Sequence, residues 1–292
     1  MRTAAAALVF VLVSLACPSA GEIPGARIPI VQERRYVMSG AVRPLLFWIK
    51  RDDIGLARIV WRRGPDGSRG YELLVGTEPT RAPGGINRWG FISEAALGSD
   101  GALLALMTGS QQTSFDNEAA AAAKRGGEFQ AAITRVQGGI AEWRLARIRT
   151  ADTMTVHDVS TVVGSVPRSG SMQQRTVTST TRPGFLMAVA DMLDIAHQTA
   201  GQPLPKDRIR YVFGDQVYEM HLRDVERVSV RYNGTETPVL KTSFETRTLA
   251  TGAKTQFVIA TGTCGDLAGV PIEIEWQPRW WLRVRLQLAA GE

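Results

Sequence analysis

The chain has 292 residues, of which 44% are hydrophobic and 21% are charged, and its formal net charge at pH 7 is +6. These values are typical of a globular protein and exclude a disordered chain, a collagen-like repeat and a disulfide-dense miniprotein. The length fits one large domain or two small ones, and folding should bury roughly three-quarters of the unfolded surface. The basic residues form no dense block, which argues against a nucleic-acid-binding protein.

Residues 1–20 have the pattern of a secretory signal peptide. Arg2 supplies a positive charge, residues 4–16 are apolar apart from Ser14, and small residues follow up to Ala20. A run of this length is too short to span a bilayer as a helix. We therefore expect cleavage after Ala20 and a periplasmic or secreted protein.

Cys17 allows a second interpretation of the N-terminus. Residues 14–17 look like the lipidation box of bacterial lipoproteins, in which the cysteine becomes the lipidated first residue. Lipidation would place the same domain on a membrane surface. An uncleaved membrane anchor is the third interpretation. Cleavage after Ala20 leaves Cys264 without a partner for an intramolecular disulfide.

Residues 21–150 are predicted to form a β-rich N-terminal half. Runs rich in β-forming residues indicate strands over residues 45–50, 57–62, 71–75, 86–92 and 129–136. Residues 63–67 contain Pro and Gly, which is typical of a turn. The alanine-rich residues 118–124 predict a short helix that ends before Gly126.

Residues 151–204 are predicted to be a helical middle with a mobile loop. Valines at helical spacing between Val156 and Val166 indicate a short helix, although β-branched residues lower helix propensity. Residues 167–182 are rich in Ser, Thr, Arg and Gln, as in a mobile loop. An apolar stripe over residues 183–198 predicts an amphipathic helix that Gly201 ends.

Residues 205–292 contain the clearest strand pattern. Hydrophobic and polar residues alternate over residues 209–213, 217–223, 227–232, 240–245 and 272–288, with turns at Gly214-Asp215, Asn233-Gly234 and Pro278. Period-two alternation places one face on a core, and short turns pair strands antiparallel. The expected fold is α+β: a large curved antiparallel sheet or open barrel-like meander, continuous with the N-terminal half and packed with one or two helices.

Four stretches of the sequence are distinctive. They are residues 43–49 (RPLLFWI), 86–92 (INRWGFI), 265–271 (GDLAGVP) and 277–281 (QPRWW). In these stretches the chain resembles a family of uncharacterised exported bacterial proteins, and the resemblance covers most of the mature chain. The resemblance implies an exported location and a shared fold, and it implies no activity.

Motifs of catalysis and metal binding are weak in this sequence. Asp191, Asp194 and His197 lie three residues apart, a spacing that fits a polar helix face with a salt-bridged histidine better than a metal site. The sequence contains no nucleophile elbow and no P-loop. A catalytic pair of Cys264 and His221 is geometrically feasible, but a lone exported cysteine is usually inert. We therefore predict no catalytic residue, no metal and no cofactor.

Glu273 and Glu275 share one face of a predicted strand, opposite Arg283 and Arg285 of the next strand. The alternation favours cross-strand ion pairs that help to set the register. Because paired carboxylates can also catalyse glycoside hydrolysis, and such a pair can lie far apart in the chain, a hydrolase with non-local carboxylates stays an alternative.

Arginine and tryptophan neighbours give the candidate ligand-binding residues. The alternation places Trp281 on the outer face of its strand, between Arg279 and Arg283, and Arg88 with Trp89 repeats the pairing. Exposed tryptophans stacked on guanidinium groups can hold a lipid, a glycan or a protein partner. Packing of Trp281 under a loop or helix is the competing interpretation.

The leading functional hypothesis is a non-enzymatic exported protein of the cell envelope that binds a hydrophobic or anionic envelope component. Export, the weak catalytic motifs and the Arg/Trp surfaces motivate it. The alternatives are a hydrolase and a structural or partner-binding envelope subunit. Nucleic acid is not an expected partner, membrane association is expected only if Cys17 is lipidated, and the oligomeric state is left open.

Overall fold

The fold is seen in a computed structural model that describes residues 23–42, 48–98, 100–108, 128–149, 151, 153–166, 171–279 and 282–291. These residues form fourteen strands of one sheet. The strands are β1 (Ile30–Val42), β2 (Ile49–Arg63), β3 (Arg69–Thr77), β4 (Trp89–Leu97), β5 (Asp100–Thr108), β6 (Glu128–Gln137), β7 (Ile140–Arg149), β8 (Gln173–Thr176), β9 (Ile209–Phe213), β10 (Gln216–Tyr232), β11 (Thr235–Thr248), β12 (Lys254–Gly262), β13 (Pro271–Arg279) and β14 (Leu282–Leu288).

Every pair of neighbouring strands in the sheet is antiparallel. The order is β8-β7-β6-β5-β4-β3-β2-β1-β14-β13-β12-β11-β10-β9, so the sheet is two meanders joined where β1 pairs with β14. The prediction of a predominantly antiparallel sheet packed with helices is confirmed. The predicted helix over residues 118–124 lies outside the described residues.

The two edge strands of the sheet, β8 and β9, are held near each other by the segment that follows β8. The N–H of Val177 donates to the carbonyl of Gly139 at 2.8 Å, and the N–H of Arg182 donates to the carbonyl of Arg210 in β9 at 2.7 Å. The N–H of Val212 donates back to Arg182 at 3.1 Å. These two hydrogen bonds form an isolated parallel bridge between Arg182 and Tyr211, which links the segment to β9 without closing the strand ladder.

Two helices are present in the described part of the chain. The first, α1 (Val159–Val163), follows one 3-10 turn, and the second, α2 (Phe185–Thr199), confirms the helix predicted over residues 183–198. Gly201, whose φ is +85°, follows the end of α2 as the sequence indicates. Neither helix has the length and hydrophobicity that crossing a bilayer requires.

One face of the sheet, the inner face, packs against α2. Ala188, Met192 and Ala196 of the helix are fully buried against aromatic and aliphatic side chains of β9 to β12. The ring of Phe185 lies 5.8 Å from that of Tyr211 and 5.6 Å from that of Phe257, both in edge-on contact. Each large buried side chain contributes about 1.5–3 kcal/mol.

The opposite, outer face packs against α1 along β4, β5 and β6. Val156, Val159 and Val163 are buried there against a cluster that includes Trp89 and Phe129. The sheet therefore has a separate core on each face, and strands between them are buried on both sides. In β5, for example, the four consecutive residues 103–106 are all buried, so both faces of this strand are covered.

Polar contacts fix α2 on the inner face. Its N-cap is Gly184, which has no side chain. The carboxylate of Glu94 in β4 accepts hydrogen bonds from the N–H groups of Leu186 and Met187 instead, both at 2.8 Å. Further along the helix, Asp191 forms ion pairs with Arg69 at 2.8 Å and with Arg182 at 2.5 Å. The helix is thus attached at its first and second turns to β4, to β3 and to the segment before it.

The structure differs from the sequence expectation in residues 167–182. This segment, predicted as a mobile loop, contains β8 over Gln173–Thr176, which pairs with β7. All four residues of β8 are exposed, because an edge strand beyond the core has no buried face. Alternation of hydrophobic and polar residues therefore cannot predict such a strand.

The long strand β10 replaces two predicted strands over residues 217–223 and 227–232. A register shift between Leu222 and Asp224 changes the phase of the alternation without ending the strand. The following turn is as predicted: Asn233 and Gly234 have φ values of 48° and 78°.

Candidate binding site

Exposed apolar side chains gather where β1, β2, β13 and β14 end together. Val42 pairs directly with Ile49 of β2 and with Leu282 of β14, while Trp276 of β13 pairs with Val284 of β14. Because directly paired residues share a face, all five lie on the inner face of the sheet. Val42, Ile49 and Trp276 are 38%, 50% and 46% exposed. We call these five residues the apolar rim.

The rim continues into the core beneath α2. Trp276 pairs with Phe257 of β12, and the ring of Phe257 contacts that of Phe185 in the helix. The exposed side chains are therefore the outer end of a buried apolar layer. A ligand on the rim would extend this layer.

An arginine stacks on a tryptophan on the opposite face of the same strand ends. The guanidinium carbon of Arg283 lies 5.0 Å from the centre of the Trp48 ring, which is a cation–π distance. Arg283 lies between Leu282 and Val284, so its side chain points away from the rim. The stack places a fixed positive charge next to the apolar side chains.

Positive charge is in excess around this stack. Lys50 pairs with Asp52 at 3.0 Å, and Asp53 pairs with Arg81. The hydrogen bond from Lys50 and another from Ser39 hold the pKa of Asp52 below its usual range, so that carboxylate stays charged. Arg51 and Arg283 carry two further positive charges. Arg283 lies on the face of the stack, whereas Arg51 pairs with Gly40 and so lies on the face of the rim.

The structure separates the sequence-predicted binding residues. Arg283 lies beside the rim, whereas Trp89 is buried on the outer face with its ring 5.3 Å from that of Phe129. Arg88 lies before β4, where its N–H donates to Thr77 at 2.8 Å. The side chain of Arg279 and all of Trp281 lie outside the described residues.

A ligand-binding role for those five residues stays a prediction. The sequence pattern did not single out Val42, Ile49, Trp48 or Trp276 as binding residues. Alternation identifies the face of a residue but not its distance from the end of the strand. The stretch RPLLFWI, which includes Trp48 and Ile49, is the sequence signal that could have indicated this region.

The two carboxylates of β13 face one arginine of β14. Glu273 accepts a hydrogen bond from Arg285, and Oε1 of Glu275 lies 3.9 Å from Nε of the same guanidinium. Both carboxylates also line an outer-face groove of about 260 Å³. Lys241 lies on its wall, with valines of β10 and β12 around it. Arg285 therefore contacts both carboxylates and offsets one of their two negative charges, whereas Arg283, the other predicted partner, stacks on Trp48.

The three histidines have separate partners. His197 Nε2 lies 3.1 Å from the hydroxyl of Thr261, and His157 contacts Glu78. His221 lies 3.8 Å from Glu245. Burial, with the charges of Arg208 and Arg223, lowers the pKa of His221 despite the opposing carboxylate.

The other residues considered for chemistry also lie apart. Asp191 pairs with arginines rather than with His197, and Cys264 is an exposed thiol. In the described ranges, no three His, Cys, Asp or Glu side chains are grouped so that they could hold a metal ion.

A similar fold occurs in the crystal structure of a β-barrel-like protein of domain of unknown function DUF1849 from Brucella abortus. The two share 8% sequence identity with a TM-score of 0.50, and the match covers 90% of this chain and 97% of that chain. At this identity the likeness concerns the fold alone. It agrees with the resemblance to uncharacterised bacterial proteins. No protein-family model and no curated protein matches this chain.

Proposed function

We propose that this chain is an exported, non-enzymatic binding protein of the bacterial cell envelope, and that its ligand is an amphiphile with an acyl chain and an anionic head. The observation that carries the proposal is the apolar rim, with Val42, Ile49 and Trp276 about half exposed beside the Trp48–Arg283 stack.

Apolar burial would supply the affinity for such a ligand. Covering exposed carbon surface contributes about 25 cal/mol per Å², so an acyl chain lying on the rim gains most where Trp276 is covered. The positive charge beside the rim favours an anionic head over a neutral one. An ordinary surface patch would lack the combination of a continuous apolar layer below and fixed arginine beside it.

Export is the second part of the proposal, and residues 1–20 support it. We expect the protein purified from its bacterial host to lack these residues by intact mass, and Cys17→Ala to leave its soluble envelope location unchanged. Membrane-bound protein that Cys17→Ala releases would identify a lipoprotein instead. Protein with an intact N-terminus in the cytosol would contradict export.

Trp276→Ala is expected to weaken binding of myristoyl lysophosphatidylglycerol by about tenfold, because removing an aromatic ring from the contact costs about 1.4 kcal/mol. Isothermal titration calorimetry below the micelle concentration measures this. Arg283→Gln should weaken binding of the same lipid and leave binding of uncharged monomyristoylglycerol unchanged.

Leu204→Ala is the matched control, because Leu204 is similarly exposed but lies outside the strands, between α2 and β9. It should bind the lipid as the unmodified protein does. Absence of saturable binding by the unmodified protein, or equal loss in Leu204→Ala and Trp276→Ala, would reject the rim as the binding site.

A further inference from the structure

A second group of side chains, on the outer face of β9 to β12, forms a basic row in register. Arg210 pairs with Glu219, Glu219 pairs with Arg247, and Arg247 pairs with Lys254. These residues alternate with Tyr211, Met220 and other side chains that pack on the inner face. The row therefore faces away from α2.

Three guanidinium groups contact one buried carboxylate in this row. Nη1 of Arg208 lies 2.6 Å from Oε1 of Glu219, Nη2 of Arg247 lies 3.4 Å from the same oxygen, and Nε of Arg210 lies 3.6 Å from Oε2. The side chain of Glu219 is 7% exposed, whereas those of the arginines are 55%, 43% and 45% exposed in the same order. We call these four residues the arginine cluster.

The arginine cluster has two positive charges in excess. Burial alone would raise the pKa of Glu219, but the hydrogen bond from Arg208 and the three positive charges hold it below its usual value, so the carboxylate stays ionised. The neighbouring carboxylate, Glu245, pairs with Lys254 at 3.0 Å and does not offset the excess.

The geometry leaves the outward sides of the guanidinium groups facing solvent. Each guanidinium has five N–H groups on a rigid plane, and the contacts with Glu219 are made through Nη1 of Arg208, Nη2 of Arg247 and Nε of Arg210. Glu219 holds three like charges close together, where they repel one another. An oxyanion bound across them would relieve that repulsion and accept charge-assisted hydrogen bonds.

We propose that the arginine cluster is a binding site for a phosphate-like oxyanion, with Glu219 as the internal counter-ion that positions the three arginines. The phosphoryl group comes from a free phosphate compound or from the headgroup of a phospholipid. This site is separate from the apolar rim, and the proposal does not depend on amphiphile binding there.

The test is calorimetric titration of the full mature chain with inorganic pyrophosphate and, separately, with phosphatidylglycerol vesicles. The main variant is R208Q/R210Q/R247Q/E219Q, which removes the carboxylate together with its arginines and so leaves no buried charge without a partner. We expect at least about a tenfold loss of affinity.

The control variant is R223Q/R227Q, which lowers the net charge by the same two units at exposed positions of β10 outside the cluster. It should keep affinity within about twofold. If the main variant does not fold, the single change Arg208→Gln leaves Arg210 and Arg247 on Glu219 and should still weaken binding severalfold.

Saturable binding of pyrophosphate that the main variant loses supports the proposal and identifies a free phosphate compound as the ligand. Binding of vesicles alone, with the same loss, supports it and identifies a lipid headgroup. Absence of binding to both probes, or equal loss in the control variant, overturns it. Trp276→Ala should leave pyrophosphate binding unchanged, which separates this result from that for the rim.

Discussion

The contribution of Glu94 to the free energy of unfolding is expected to fall by about 3 kcal/mol between pH 4.5 and pH 7, and Glu94→Gln is expected to remove that contribution. Glu94 is fully buried, and burial raises its pKa to about 7, although the hydrogen bonds that it accepts from N–H groups of α2 act to lower it. No ion pair offsets this burial among the contacts described for Glu94.

The sign follows from proton binding. Between the unfolded pKa of about 4.5 and the folded pKa of about 7, the folded state keeps the proton on Glu94 and the unfolded state has lost it. Raising the pH through this window therefore favours unfolding, and the contribution of Glu94 is constant above it. Glutamine keeps an oxygen that accepts from Leu186 or Met187 and has no charge to bury.

Urea unfolding followed by circular dichroism at a series of pH values measures the effect. Glu226→Gln is the control, because Glu226 is an exposed carboxylate on β10, and it should leave the fall in place. If Glu94→Gln and the unmodified protein have the same dependence of unfolding free energy on pH, burial of Glu94 does not contribute to it.

The elements that the sequence predicts well have one buried face. Strands β9 to β14 alternate because their inner face packs on the core and their outer face is in water, and α2 shows an apolar stripe for the same reason. Three of the strands that were missed lack this asymmetry, whereas β1 was missed although Tyr36 and Met38 give it one buried face. β5 is buried on both faces, β8 is exposed on both, and β7 has arginines on both.

Contacts between distant parts of the chain explain what the sequence pattern could not give. Glu94 lies 92 residues before Leu186, whose N–H donates a hydrogen bond to its carboxylate. Nothing near Glu94 in the sequence of β4 indicates that a helix packs on it. The pairing of β1 with β14, which assembles the apolar rim, joins the first and the last strand of the chain. Arg208 and Arg247 meet on Glu219 because β9, β10 and β11 are neighbours in register.

The sequence pattern also could not predict which tryptophans of the strands are covered by other parts of the chain. Trp89 and Trp276 both have strongly apolar side chains in strands, yet Trp89 is buried under α1 and Trp276 is half exposed. The difference arises because residues 153–166 cover the start of β4. Sequence alternation contains no information about such a cover.

Gly184→Ala is expected to destabilise the protein by about 3 kcal/mol, because the N-cap of α2 has no room for a methyl group. A Cβ at this position would lie 2.2 Å from Cδ of Glu94 and 2.3 Å from its Oε1. The φ of Gly184 is −162°, an extended value that any residue adopts, so the cost is one of space alone. The buried carboxylate would have to leave the helix N-terminus, and both N–H groups would lose their acceptor.

Chemical denaturation of Gly184→Ala measures this cost, and Gly164→Ala is the matched control because a Cβ at Gly164, just after α1, meets no atom within 4 Å. The decisive comparison is a double-mutant cycle with Glu94→Ala. Once the carboxylate is absent, the added methyl group has space, so Gly184→Ala should cost far less in that background. An equal cost in both backgrounds would mean that the glycine is needed for a reason other than contact with Glu94.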